Sequence, residues 1–223
     1  MSEQNWPELS FPKDEAELVR AIYEKATVIL EYGSGGSTII AAEKPGKLVF
    51  SVESDREWAL RLQHEIDSRK LSSPATVYHV DIGPTGDWGR PLNSDSWTNF
   101  HNYPLAIWDE PFFRQPDVVL IDGRFRPACL MAVALRTRQT VTLLFDDYKS
   151  RPAYHSVEGF LKPTKIVGRL AVFRVEPRQL DASEIRKLME NFFRATYHGM
   201  DQPPYKNNLR NKSSSPGDGR NIT

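Results

Sequence analysis

Glu31-Tyr32-Gly33-Ser34-Gly35-Gly36-Ser37 places an acid before a glycine-rich turn that opens a helix-like stretch at Thr38. Glycines permit a tight turn and let a ligand approach the backbone, while free N–H groups at a helix start favour polar or anionic groups. Glu53, followed by Ser54, stands about 20 residues further on, the spacing at which an acid holds ribose hydroxyls. A second constellation joins Asp122-Gly123-Arg124-Phe125-Arg126 to Phe145-Asp146-Asp147-Tyr148. The carboxylates of Asp122, Asp146 and Asp147 suit a hard divalent cation such as Mg²⁺, which orients and deprotonates a hydroxyl. Arg124 and Arg126 suit an anionic acceptor, bound as a carboxylate or phosphate by paired N–H donors. Neither is a base at neutral pH, because the guanidinium stays protonated. The competing reading pairs these arginines with the three acids as internal ion pairs. His155, which titrates near neutral pH, is the candidate general base.

The elements that must position these residues follow from the hydrophobic pattern. Residues 12–25 predict an amphipathic helix, with acids in its first turn and Leu18 and Ile22 at helical spacing. Val28-Ile-Leu30, the glycine turn, a helix from Thr38 to Glu43 and Leu48–Val52 make a β-α-β unit. A helix over 55–66 and a strand over 76–80 repeat it. Residues 82–115, rich in Gly, Pro and Trp, break the rhythm and predict a lid, a structural plug or an oligomer contact. Strand 118–121, a helix ending near Leu135, strand 140–145 and a short helix over 154–161 follow. A closing hairpin spans 165–175, and a last helix runs from Leu180 to Tyr197 with Leu188, Phe192 and Phe193 facing inward. Residues 201–223 are too poor in apolar side chains to offset chain entropy, so a disordered tail is expected. The whole predicts one α/β domain over 1–200, with helices on both faces of a mostly parallel sheet whose ligands bind at the carboxyl ends of the strands.

Composition bounds the functions. The 223 residues hold 29 basic and 29 acidic side chains, so no overall field draws the chain to nucleic acid or to a membrane surface. No apolar run approaches the roughly 18 residues of a membrane span, and no signal pattern follows Met1, which leads to a cytoplasmic reading. Cys129 is alone, so disulfides and cysteine zinc clusters within the chain are excluded.

Two cofactors compete for the glycine turn. A nicotinamide dinucleotide fingerprint would require glycine where Thr38 stands, and it would set a pyrophosphate beside the repelling carboxylate of Glu31. S-adenosylmethionine carries an ammonium and a sulfonium and no phosphate, so an acid there is complementary to it. The chain resembles the class I S-adenosylmethionine-dependent methyltransferases, and more narrowly the poorly characterised bacterial methyltransferase-like proteins. The family's acid-x-G-x-G-x-G motif matches at Glu31, Gly33 and Gly35, with Ser37 in place of the third glycine. The resemblance implies a Rossmann-like sheet of seven strands with the last antiparallel. It further implies that Glu53 holds the ribose, that Asp81 beside Ile82 meets the adenine, and that Asp122 lies near the transferring methyl. In metal-dependent small-molecule O-methyltransferases a catalytic lysine occupies the segment of Arg124 and Arg126, so no base transfers to this chain. The Asn-Pro-Pro-aromatic motif of amino-methylating nucleic-acid enzymes is absent after 118–121. The expected activity is methyl transfer to a small, anionic O- or N-acceptor. A cofactor-binding protein without catalysis and a nicotinamide-dependent oxidoreductase stand as alternatives.

Overall fold

Alternation along the strands sorts their side chains between two cores. The computed structural model describes residues 9–194. Seven strands form one sheet: β1 (Val28–Tyr32), β2 (Leu48–Glu53), β3 (Ala75–His79), β6 (Val118–Ile121), β7 (Val141–Phe145), β8 (Lys165–Val167) and β9 (Leu170–Val175). Two short strands, β4 (Thr85–Gly86) and β5 (Arg90–Pro91), pair as a separate hairpin. The large sheet runs β3-β2-β1-β6-β7-β9-β8, with parallel neighbours up to β7 and antiparallel pairs on both sides of β9. This is the Rossmann-like α/β sheet with an antiparallel last strand that the pattern predicts.

Ile29, Val49, Val118, Leu120 and Leu144 point to one face, where they pack on helices α1 (Lys13–Lys25), α2 (Gly36–Glu43) and α3 (Arg56–Arg69). The contacts on that side include Val19, Tyr23, Ile39, Leu62 and Ile66. Leu30, Tyr32, Val119, Ile121, Leu143 and Phe145 point the other way, towards α5 (Arg126–Arg136) and α6 (Ala182–Phe192). Most of these side chains are fully buried, so truncating any one to alanine removes about 2–5 kcal/mol through lost transfer energy and an unfilled cavity. Helix starts are fixed locally. Asp55 Oδ1 accepts the Trp58 N–H at the head of α3, and Asp181 with Glu184 forms a reciprocal cap on α6.

Residues 82–115 divide between two roles. Phe100, Tyr103, Ile107 and Trp108 sit on short helical turns, including α4 (Asn102–Leu105), and are buried in the same core as α5. Trp108 Nε1 donates to Tyr32 Oη at 2.7 Å, and Tyr32 Oη donates to the Pro104 carbonyl at 2.7 Å. This half covers the sheet as a crossover helix would. Trp88 and Trp97, in the preceding half, are exposed.

The last helix is shorter than its apolar pattern. It ends at Phe192, and the side chain of Phe193 is 72% exposed, because one further residue turns about 100° away from the face that carries Leu188. The remainder of the predicted helix, 195–197, and the predicted tail over 201–223 lie outside the described residues. Cys129 is buried in the core, as its apolar neighbours suggest. Among the described residues no helix is long and apolar enough to cross a membrane.

The chain leaves β1 towards β2 on one side, while β6 lies on the other. That reversal opens a crevice at the carboxyl ends of β1 and β6.

Candidate cofactor and acceptor site

The crevice floor is a close approach of two backbones. Gly33 has φ +100°, and a Cβ there would lie 2.7 Å from Gly123 N. A Cβ on Gly123 would lie 2.1 Å from Tyr103 Oη. Only glycines fit both places. The approach is locked by Gly33 N donating to the Val52 carbonyl at 2.9 Å and Gly123 N donating to the Tyr32 carbonyl at 2.6 Å. Above it opens a cavity of about 1010 Å³, lined by the Gly33–Ser37 turn, Glu53, Trp58, Trp88, Asp122 and Arg124, among others.

Glu53 stands on the cavity wall with both oxygens in use. Oε1 accepts the Ser54 and Asp55 N–H groups at 2.7 and 2.9 Å, and Oε2 accepts the Ser34 hydroxyl at 2.7 Å. The carboxylate therefore ties the end of β2 to the glycine turn and is held in one orientation. Ser54 Oγ donates to the Gly89 carbonyl at 2.8 Å, which seats the β4–β5 hairpin against the end of β2. Trp88, in the left-handed backbone region at φ 61°, is carried by this hairpin at the cavity mouth. Trp58 reaches from α3 and donates its indole N–H to the Ser34 carbonyl at 3.0 Å.

Other predicted cofactor residues stand elsewhere. Glu31 shares the α1–α2 face with Ile29, so the turn closes over it and it does not line the cavity. Its carboxylate accepts the Tyr23 hydroxyl at 2.6 Å and the Thr38 hydroxyl, and burial pushes its pKa up to about 7 against the pull of these hydrogen bonds. Glu31 thus holds the turn from beneath instead of meeting a ligand's cations. Tyr32, one step along the strand, points into the opposite core. Asp81 is exposed, and its Oδ1 accepts the Gly83 N–H at 2.8 Å, while Ile82 is buried in the core. Neither lines the cavity, because the β4–β5 hairpin takes the place beside the end of β2.

The acidic cluster forms, with its charges already matched. Ligand atoms of Asp122, Asp146 and Asp147 lie within 4.8 Å of one another. Arg169 holds Asp146 through two parallel hydrogen bonds, of 2.9 and 3.0 Å. Arg126 lies 2.9 Å from Asp122 and 3.3 Å from Asp147, which Arg151 also approaches at 3.2 Å. Three guanidinium groups thus balance three carboxylates, and a divalent cation would have to displace them from the oxygens it needs. The residues present do not fit Mg²⁺. Arg126 also donates to the backbone carbonyls of Asp122, Gly123 and Asp146. It staples the ends of β6 and β7 and is buried behind the cavity, so it does not face an acceptor. His155 is exposed, outside the cavity lining, with Nε2 3.0 Å from the Tyr148 carbonyl.

Asp122 and Arg124 reach the cavity. Burial raises the Asp122 pKa to about 7; Arg126 opposes the rise, and Asp146 and Asp147 reinforce it.

A methyltransferase-like protein from Silicibacter pomeroyi is 48% identical to this chain, with a TM-score of 0.80 over 85% of this chain and 98% of that one. The chain belongs to the class I methyltransferase family. Two further solved structures are similar at low identity. An O-methyltransferase from Bacillus cereus is 14% identical, covering 85% of this chain and 71% of that one, with a TM-score of 0.47. An RNA methyltransferase from Salinibacter ruber is 12% identical, covering 78% and 97%, with a TM-score of 0.48. No protein-family model matches the chain, and neither does any curated protein.

Sequence reasoning missed several parts of this candidate site. In the sequence Gly123 stands out only as a neighbour of Asp122, and Tyr103 only as a member of an aromatic-rich stretch. Arg151 and Arg169 sit in segments with no motif at all. A glycine directly after a strand-end acid was the one local signal for the close approach at Gly123.

Proposed function

We propose that this class I methyltransferase moves a methyl group from S-adenosylmethionine to an oxygen or nitrogen of a small-molecule acceptor. The observation that carries the reading is Glu53 fixed beside the Gly33–Ser37 turn, both lining one cavity at the β1–β6 crevice. A rigid carboxylate on that wall suits a ribose diol, and the turn offers backbone N–H groups and close approach to the amino-acid end. Trp58 and Trp88 offer apolar surface to the base. The cofactor supplies the activated methyl and its own neutral leaving group, so the protein's work is alignment and proton removal.

The residues divide that work. The glycine turn and Glu53 orient the donor. Asp122, beside the turn and with a pKa of about 7, takes the proton that an acceptor O–H or N–H loses as its lone pair forms the new bond to carbon. A carboxyl group poised near neutrality serves as a base at physiological pH, which an arginine cannot. The nicotinamide reading is not favoured: the position its fingerprint reserves for glycine is Thr38, buried and bonded to Glu31. Balanced charge argues for a small-molecule partner over nucleic acid or membrane, and an unpaired Cys129 goes with the reducing cytoplasm.

Calorimetric titration with S-adenosylhomocysteine tests the reading, with NAD as control and with Mg²⁺ or EDTA present in parallel. Micromolar binding of the homocysteine ligand alone, unaffected by EDTA, is expected. Failure of that ligand to bind under every condition would overturn the proposal, and binding without turnover over a broad acceptor panel would favour a catalytically silent member of the family.

A further inference from the structure

Three arginines behind the ends of β6 and β7 have acidic partners. Arg126 takes Asp122 and Asp147, Arg151 takes Asp147, and Arg169 takes Asp146. Arg124 differs. It lies between the glycine approach and α5, and its side chain lines the cavity. Its Nε is buried without a hydrogen-bond partner, and among the described residues it makes no ion pair. The backbone N–H of Arg124 is engaged, donating to Tyr103 Oη at 3.3 Å, so the residue is anchored while its guanidinium is not.

The groups facing that guanidinium make the lack of an acid more telling. They are the like charges of Arg126 and Arg90 and the phenols of Tyr103 and Tyr154. Burial draws the guanidinium below its ordinary range, with the two arginines adding to the effect and the two tyrosines opposing it. A desolvated cation among cations costs free energy, and the N–H groups of arginine form a fork that matches the two oxygens of a carboxylate or phosphate. Asp146 and Asp147 cannot answer it, because their oxygens are committed to Arg126, Arg151 and Arg169, and Asp122 pairs with Arg126. A ligand in the cavity is positioned to supply the missing counter-charge. Asp122, two residues earlier, marks the side of the cavity where the acceptor's proton leaves.

We propose that Arg124 is the specificity residue for an oxyanionic group, carboxylate or phosphate, on the methyl acceptor. The inference rests on the methyl-transfer reading, and it narrows the acceptor class to small anions carrying a nucleophilic oxygen or nitrogen. Arg124 then binds the anion, Arg90 adds to the local positive field, and Arg126 remains structural.

The test is titration of the S-adenosylhomocysteine-loaded protein with three probes: benzoate, inorganic phosphate and uncharged benzamide. Benzoate or phosphate is expected to bind at least tenfold more tightly than benzamide, the better of the two anions identifying the group. Arg124→Gln should lose that preference while keeping its affinity for S-adenosylhomocysteine within about twofold. Should the glutamine variant fold poorly, Arg124→Met carries the same expectation, since removing an unpaired buried cation relieves the fold. Failure of both anions to bind, equal binding of benzoate and benzamide, or an unchanged preference in the variants would overturn the proposal. So would a parallel loss of S-adenosylhomocysteine affinity, which would assign Arg124 to the cofactor's own carboxylate. If the wild-type protein does not bind S-adenosylhomocysteine at all, the methyl-transfer reading fails. If it binds and the anions are not discriminated, only the role of Arg124 fails.

Discussion

Replacing Glu31 by glutamine should flatten the pH dependence of folding stability. Glu31 is fully buried beneath the glycine turn, and burial raises its pKa from 4.5 to about 7. In the unfolded chain the carboxyl releases its proton near 4.5, whereas in the folded protein it keeps that proton until about 7. Between these limits the unfolded state binds fewer protons, so stability falls as pH rises through this window and levels off above it. At about 1.4 kcal/mol per unit the total penalty is about 3 kcal/mol, most of it between pH 5 and pH 8. Glutamine has the same shape and no titration. It retains an acceptor for the Tyr23 hydroxyl but places an amide against the Thr38 hydroxyl, which costs about 1 kcal/mol at every pH. The slope therefore carries the test and the absolute value does not. Urea unfolding of both proteins at pH 5 and pH 8 measures it. The wild type should lose about 2–3 kcal/mol more than the variant between the two conditions. Equal losses would mean that Glu31 is ionised in the fold throughout, and the account of a protonated strut under the turn would be wrong.

Gly33→Ala puts a Cβ 2.7 Å from Gly123 N at a φ of +100°. It should cost at least about 2 kcal/mol in urea unfolding and weaken S-adenosylhomocysteine binding at least tenfold; ordinary values for both would show that the two backbones do not need their close approach. Asp146→Asn leaves the Arg169 fork without its charged partner and should cost about 3 kcal/mol, while Mg²⁺ should not raise the wild-type melting temperature. A clear rise with Mg²⁺ would instead show that the cation can displace the arginines. For Asp122, whose pKa is about 7, kcat/KM with an active acceptor should climb as pH rises through that value, because a base acts in its ionised form. Asp122→Asn should remove this limb and lower kcat at least tenfold; a variant with the same pH profile would place the base elsewhere.

Much of the fold was legible because its signals are local. Strand and helix alternation, the glycine turn after Val28–Leu30 and the closing hairpin around Gly168 each depend on a few neighbouring residues, and together they permit few topologies. The position of Glu53 was legible for the same reason, since a β-α-β unit sets the distance from turn to strand end. The acid in front of the turn, Glu31, stands out by its position, but the surface it faces is not legible in the sequence. Its residue type suggested a ligand's cations, whereas the sheet's alternation turns it towards Tyr23 and Thr38. Asp81 shows the converse, a strand-end acid held away from the cavity by a hairpin that composition could describe only as irregular.

The sequence by itself determined the class of fold, the glycine-lined strand end and the acids grouped around it, because these depend on periodicity and short spacings. Only the tertiary structure decided which charges meet. Arg169 reaches Asp146 because β9 folds back beside β7, and Arg151 and Arg126 close on Asp147 at the same sheet edge. Those pairings turned an apparent metal site into an ion-pair cluster. They also left Arg124 at the cavity without an acid, since opposite charges in a low-dielectric interior pair according to distance in space, which one-dimensional spacing does not encode.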